Sequence, residues 1–300
     1  EQVCARFDKH PLVEFCEEEV FMEPTLTPND PYFPNWQGSI KRMSIEAAWD
    51  ITTGSPNVPI AVVDSGVDYN HYEFNQRYLN GEITGWDFAD NDPDFYDLFG
   101  HGTQVTGVIA AQSNNGVGMA GINWQNPLIA ARTGYGFDAK EAVIWATDNG
   151  AKVITMSFGS YVPTLSWENT LQYAFDHGVA LFGSAGNDNL NDPRYPAAYS
   201  IVLAVTGVDS YGNPVGYNWG DWVDVSGPAG SLTTMPYQNT LGNVGGTSIS
   251  APVVAGAAGL VLSVNPELTP TQVYDILKST ADDVNNTGFD VWTGWGRVNF

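Results

Sequence analysis

Apolar residues in this chain fall in short unbroken runs rather than in alternation with polar ones. The clearest are Ile60-Ala61-Val62-Val63, Leu128-Ile129-Ala130-Ala131, Val153-Ile154-Thr155-Met156, Val179-Ala180-Leu181-Phe182 and Ile201-Val202-Leu203-Ala204-Val205. An alternating strand keeps one face wet, whereas an unbroken run suits a strand covered on both faces, as in a parallel sheet. Helix signals fall between the runs. Asp138-x-x-Glu141 is a capping pair with Gly150 as a stop after Asn149, and Ser166 is placed to cap a helix ending near His177-Gly178. Thr269-Pro270-Thr271-Gln272 joins a cap, a proline at the first helical position and a glutamine three residues after the cap, which predicts a helix start. The alternation of strand and helix predicts an open α/β sheet with right-handed crossovers. Chemistry in such sheets gathers beyond the carboxyl ends of the strands. Asp64 follows one run, Ser157 another and Ser184 to Asn187 a third, so these remote segments are expected to meet at one edge.

Residues 1–29 stand apart from this pattern. They are acidic and proline-bearing (Glu17-Glu18-Glu19, Pro24, Pro28) with little periodicity, and read as an arm before a folded domain over residues 30–300. With 300 residues, 43% of them hydrophobic, the chain can bury a substantial core. Its formal charge of -23, with only 11 basic residues, argues against nucleic-acid or anionic-membrane partners, which need clustered Lys and Arg. The best apolar stretch, Val253 to Val264, is about half the ~20 residues of a membrane span and rich in Ala and Gly, so it reads as a buried helix. No signal peptide is visible, and Glu1 in place of Met points to a processed or trimmed chain. The even pair Cys4 and Cys16 favours one disulfide within the arm over two free thiols.

Three glycine-flanked segments carry the candidate chemistry: Val62-Val63-Asp64-Ser65-Gly66, Gly100-His101-Gly102-Thr103 and Gly246-Thr247-Ser248-Ile249-Ser250-Ala251-Pro252. Hydrolysis by a serine needs a weak nucleophile, an imidazole that takes its proton and a carboxylate that orients the imidazole. Ser248 precedes Pro252, a residue tolerated in a helix's first turn, so the serine is expected near a helix N-terminus. Taken alone it would be an ordinary capping serine. His101, one of four histidines, lies between glycines that permit close backbone approach. Asp64 follows its strand directly, with Asp68 as the rival carboxylate. The order Asp, His, Ser separates this set from two other serine-hydrolase designs. The string Gly116-Val117-Gly118-Met119-Ala120-Gly121 spells a dinucleotide fingerprint but follows a helix-like segment rather than a strand, and is read as a tight loop.

With Ser184-Ala185-Gly186-Asn187 as a fourth element, these segments resemble the subtilisin-like serine proteases, the thermitase-like branch in particular. The resemblance covers about residues 30–300. It implies a three-layer, mostly parallel sheet with helices on both faces, and a secreted serine endopeptidase working through an acyl-enzyme. Asp64, His101 and Ser248 would form its triad, and Asn187 would serve the oxyanion. Ser157-Phe158-Gly159 and Ser184-Ala185-Gly186 would wall the primary specificity pocket, with an apolar or aromatic leaning at P1, the residue before the scissile bond. Asp188 would then stand at the pocket rim and admit Lys or Arg. Gly134 and Gly136 would belong to the strand that pairs with substrate backbone, although Thr133-Gly134-Tyr135-Gly136 is shorter than usual in the family.

The same resemblance implies structural calcium at one or two sites, which would take mostly carboxylate and carbonyl oxygens. One would use Asp30, Glu73 and Asn115 side chains with carbonyls of Gln112, Val117 and Met119; Glu73 stands where the family usually has Asp. The other would use Asp87, Asp90, Asp92 and Asp94, otherwise a solvated acidic loop. Expected partners are polypeptide substrates and a propeptide removed on maturation, with a monomeric enzyme, no nucleic acid and no membrane.

Overall fold

The computed structural model describes residues 26–134 and 138–300. Seven parallel strands form its centre: β1 (Ile60–Asp64), β2 (Ile83–Asp87), β3 (Leu128–Arg132), β4 (Val153–Met156), β5 (Ala180–Ser184), β6 (Leu203–Val208) and β7 (Val225–Pro228). Their order across the sheet is β2-β3-β1-β4-β5-β6-β7. Strand β1, third in that order, pairs in register with β3 through Ile60↔Leu128 and with β4 through Ile60↔Val153. A separate antiparallel ribbon joins β8 (Gly230–Met235) to β9 (Thr240–Gly245).

The unbroken apolar runs divide between two cores. Ile60, Val62, Ala130, Phe182 and Val205 point into one, and Ala61, Val63, Ile129, Ile154 and Leu181 into the other. Successive strand residues face opposite sides, so a run with no polar break is what a sheet between two helical layers requires. The first core is closed by α2 (His101–Ala110), α5 (Thr247–Val264) and α6 (Pro270–Ser279), and also by α1 (Ile45–Ile51). The second is closed by α3 (Asp138–Asp148) and α4 (Leu165–Asp176). Three layers result, as expected.

Local signals place the helices with two corrections. Thr269 caps α6 in a reciprocal pair, its hydroxyl accepting from Gln272 N at 3.3 Å while its N–H donates to Gln272 Oε1 at 2.9 Å. The cap of α4 is Thr164, which accepts from Trp167 N, and not Ser166, which lies inside the helix. The second correction concerns Pro252. Helix α5 begins at Thr247, so this proline lies beyond the first turn. A proline there leaves the carbonyl four residues earlier without its helical N–H. That carbonyl belongs to Ser248, and it accepts from Ser157 Oγ at 3.0 Å instead. Although α5 is long and apolar enough to cross a membrane by composition, 78% of it is buried inside the protein.

Candidate active site

Asp64 ends β1, 1% exposed, and its Oδ1 accepts from the Ser65 N–H at 2.7 Å and meets His101 Nδ1 at 2.8 Å. A carboxylate only accepts, so Nδ1 carries the proton and Nε2 is left with its lone pair. His101 opens α2 after Gly100, whose φ of 101° turns the chain into the helix. Any side chain at Gly102 would overlap the Gly66 carbonyl, and this contact presses the histidine turn against the loop after β1. Burial opposes the imidazolium, but the charge and hydrogen bond of Asp64, with a further contribution from Asp97, hold the His101 pKa above its ordinary 6.5. The rival Asp68 serves turns instead, accepting from Asn70 N and Tyr237 N.

Sequence reasoning missed Asp97. It is fully buried and accepts five hydrogen bonds: from Ser65 Oγ, Phe99 N and Gly100 N on one oxygen, and from the Thr103 N–H and hydroxyl on the other. Ser65 Oγ in turn accepts from Gly102 N at 2.8 Å. One carboxylate thus ties the residue after Asp64 to both flanks of His101. In the sequence, Asp97 is one more acid in an acidic stretch, and only its burial separates it from its neighbours.

Ser248 is the second residue of α5 and half-buried. Its hydroxyl rests on the Ser157 carbonyl at 3.3 Å, while Ser157 Oγ donates to the Ser248 carbonyl, so the two serines hold each other reciprocally. Ser157 and His101 line one cavity of about 430 Å³ with Phe158, Gly159 and the rings of Phe99, Trp167 and Tyr195. Thr247, also missed from sequence, fixes Asn187. Its N–H and hydroxyl both donate to Asn187 Oδ1, at 2.9 and 3.1 Å, and its Oγ1 accepts from Gly186 N. With Oδ1 engaged, the exposed end of Asn187 is its amide donor. Ser184, Ala185 and Gly186 are buried behind the cavity and do not line it directly. Asp188 is not an open rim charge: it accepts from Tyr161 Oη and pairs with Arg194 Nη1 at 3.0 Å. Gly134 donates to Asp138 Oδ2 beside α3, while Gly136, Cys4 and Cys16 lie outside the described residues.

The two expected cation sets differ. Asp30 and Glu73 are both buried, and Asp30 accepts from the N–H groups of Asn114 and Asn115. Glu73 Oε1 accepts from Met119 N, but Oε2 is buried without a partner. Burial, and after it the neighbouring charge of Asp30, pushes the Glu73 carboxyl up to about 8 against the pull of that N–H. Two close buried carboxyls with an orphan oxygen fit a bound cation. The Asn115 side chain accepts from Val117 N, and Gln112 donates its N–H to the Glu73 carbonyl, which draws this loop around the pair. In the second set a guanidinium is already in place: Arg132 bridges Asp87 and Asp90. Asp92 and Asp94 cap their own turns, and Asp94 also accepts from Tyr69. That set has its counter-charge from the protein.

The sequence profile described as Subtilase family, peptidase S8, matches residues 55–296. A "Thermophilic serine proteinase" of Bacillus sp. (strain AK1) is 35% identical over 306 residues, spanning 100% of this chain and 74% of that protein. "Thermitase" of Thermoactinomyces vulgaris is also 35% identical, over 91% of this chain and 97% of its own length. Among solved structures, one titled as a protease from Pseudoalteromonas arctica PAMC 21717 superposes with a TM-score of 0.82 at 29% identity, covering 91% of this chain and 97% of that one.

Proposed function

Because the chain belongs to the subtilase family of serine endopeptidases, we propose that Asp64, His101, Ser248 and Asn187 carry out its acyl transfer. The observation that carries this assignment is the 2.8 Å contact between His101 Nδ1 and Asp64, with Ser248 in the first turn of its own helix. In the proposed reaction the Ser248 hydroxyl leaves the Ser157 carbonyl and gives its proton to Nε2. The serine oxygen then attacks the scissile carbonyl as His101 takes its proton, and Asp64 stabilises the imidazolium. The developing oxyanion is held by the Asn187 amide and the Ser248 N–H. His101 next protonates the leaving amine, and water releases the acyl group by the same steps in reverse.

The Phe158, Trp167 and Tyr195 walls support broad cleavage with an apolar or aromatic P1. Gly134 and Gly136 serve the substrate backbone. Residues 1–29 are the arm and 30–300 the catalytic domain; the even count of cysteines, Cys4 and Cys16, supports one disulfide in the arm and with it a secreted setting. The mature enzyme acts as a monomer after propeptide removal.

The pH profile tests the base. A base must be unprotonated to act, and the His101 pKa is raised, so kcat/KM falls with decreasing pH along a limb whose midpoint lies above 6.5. A limb that first appears well below 6.5 would remove His101 from this role.

Calcium is proposed as a structural ion held by Asp30 and Glu73, with Asn115 and the carbonyls of Gln112, Val117 and Met119 completing the shell. It supplies charge compensation and takes no part in the chemistry. An ion that binds only the native state at about 100 times its Kd adds about 2.7 kcal/mol, or about 5 °C in Tm for a domain of this size. Melting in chelator and in millimolar calcium checks this; identical midpoints reject the site.

A further inference from the structure

The cavity beside His101 contains a cation that its apolar walls do not explain. Arg194 is one of only 11 basic residues against 34 acidic ones, yet it lines this cavity, and the lining includes no carboxylate. Its stem passes between the two glycines of the expected pocket walls. A Cβ added at Gly159 would stand 3.0 Å from Arg194 Cγ and Nε, and one added at Gly186 would stand 2.7 Å from Arg194 Cδ. The glycines therefore form the channel that the arginine fills. The guanidinium is fixed from behind, where Nη1 pairs with Asp188 and the group lies over the Tyr161 ring at 5.5 Å. Its Nε–H is buried and has no acceptor. A buried donor without a partner is costly to leave unmet, and here the residue that carries it borders the space a P1 side chain enters.

We infer that Arg194 is a specificity-determining residue that makes this cavity accept acidic P1 side chains and reject basic ones. The inference rests on the protease reading above and deepens it. A glutamate or aspartate carboxylate meets the guanidinium as a charged acceptor, which binds a donor more strongly than a neutral amide does. Lysine or arginine at P1 brings a second cation beside Arg194, whose carboxylate partner Asp188 is already engaged by Arg194 and Tyr161. Apolar P1 residues remain substrates, because the side walls are aromatic.

The test uses the full chain and four peptides differing only at P1: Leu, Gln, Glu and Lys, at a pH where glutamate is ionised. Expected is a kcat/KM for Glu about tenfold above Gln, with Lys the slowest. The Glu/Gln ratio should fall between about 0.05 and 1 M salt, as screening predicts. Arg194→Met keeps the stem and removes the charge, bringing the ratio close to one while Leu cleavage persists; Arg194→Lys keeps part of the preference; Asp188→Asn raises it. A wild-type ratio near one, or a salt-independent ratio, overturns the inference without any variant, as does a ratio unchanged in a folded Arg194→Met protein. If none of the four peptides is cleaved, Leu included, the protease reading itself fails. Cleavage of Leu without discrimination between Glu and Lys sinks only the role of Arg194.

Discussion

Ser248→Ala is expected to leave a folded protein whose peptide hydrolysis is lower by about 10⁶-fold; this scale comes from subtilisin, the standard example and a relative of this chain. The reasoning is local. The Ser248 side chain makes one hydrogen bond, to the Ser157 carbonyl, and the site is half-buried, so deleting the hydroxyl disturbs little packing. The reciprocal bond from Ser157 to the Ser248 carbonyl survives, because it uses the backbone. Tm should therefore stay within about 2 °C of wild type, as for a substitution that leaves buried partners satisfied. Turnover of a casein-like substrate and a melting curve, taken on the same preparation, separate loss of chemistry from loss of fold. Wild-type turnover in the variant would place the nucleophile elsewhere.

Asp97→Ala carries the largest expected stability effect. Five donors converge on this buried carboxylate, and its removal strands the Ser65 and Thr103 hydroxyls and the N–H groups around His101. Leaving buried donors without acceptors costs about 1–3 kcal/mol each but not additively, so a loss of about 4 kcal/mol is expected. The histidine turn also loses its tether to the residue beside Asp64, and a displacement of about 1 Å lowers kcat by about 10²-fold. A third consequence separates this role from simple scaffolding. The negative charge of Asp97 contributes to raising the His101 pKa, so removing it shifts the acid limb of the pH profile to lower pH. Asp97→Asn, which keeps one acceptor, should recover part of the stability but not the limb. A variant with unchanged Tm, kcat and acid limb would show Asp97 to be an ordinary loop acid.

The sequence is informative where both faces of an element are covered. Strands β1, β3, β4 and β5 announce themselves as unbroken apolar runs, since each feeds both cores, and the run that leads into β6 does so through Val202 on one side and Leu203 and Val205 on the other. Strands β2 and β7 lie at the two edges of the sheet. Ile83-Thr84-Gly85-Trp86-Asp87 is only partly buried, and Val225-Ser226-Gly227-Pro228, although buried throughout, holds one aliphatic residue, so neither carries such a run and both are silent in pattern. The β8–β9 ribbon is built largely of Gly, Thr and Ser and carries no strong period. The same logic applies to the site. Asp64, His101 and Ser248 stand out because glycines flank each of their segments and their order is diagnostic. Asp97 and Arg194 act through burial and through contacts with remote loops, which spacing along the chain does not encode. Pro252 is legible as a helix residue but its position beyond the first turn is not, because the donor that replaces its missing N–H is Ser157, far away in sequence.

In the proposed mechanism the hydroxyl of residue 248 is made nucleophilic by the imidazole of residue 101. Labelling the intact protein with a fluorophosphonate and mapping the adduct by mass spectrometry measures this directly. One adduct on Ser248 is predicted, with labelling strongly slowed in His101→Ala. A folded protein that cleaves peptides yet remains unmodified at Ser248, or carries the label on another serine, would contradict it.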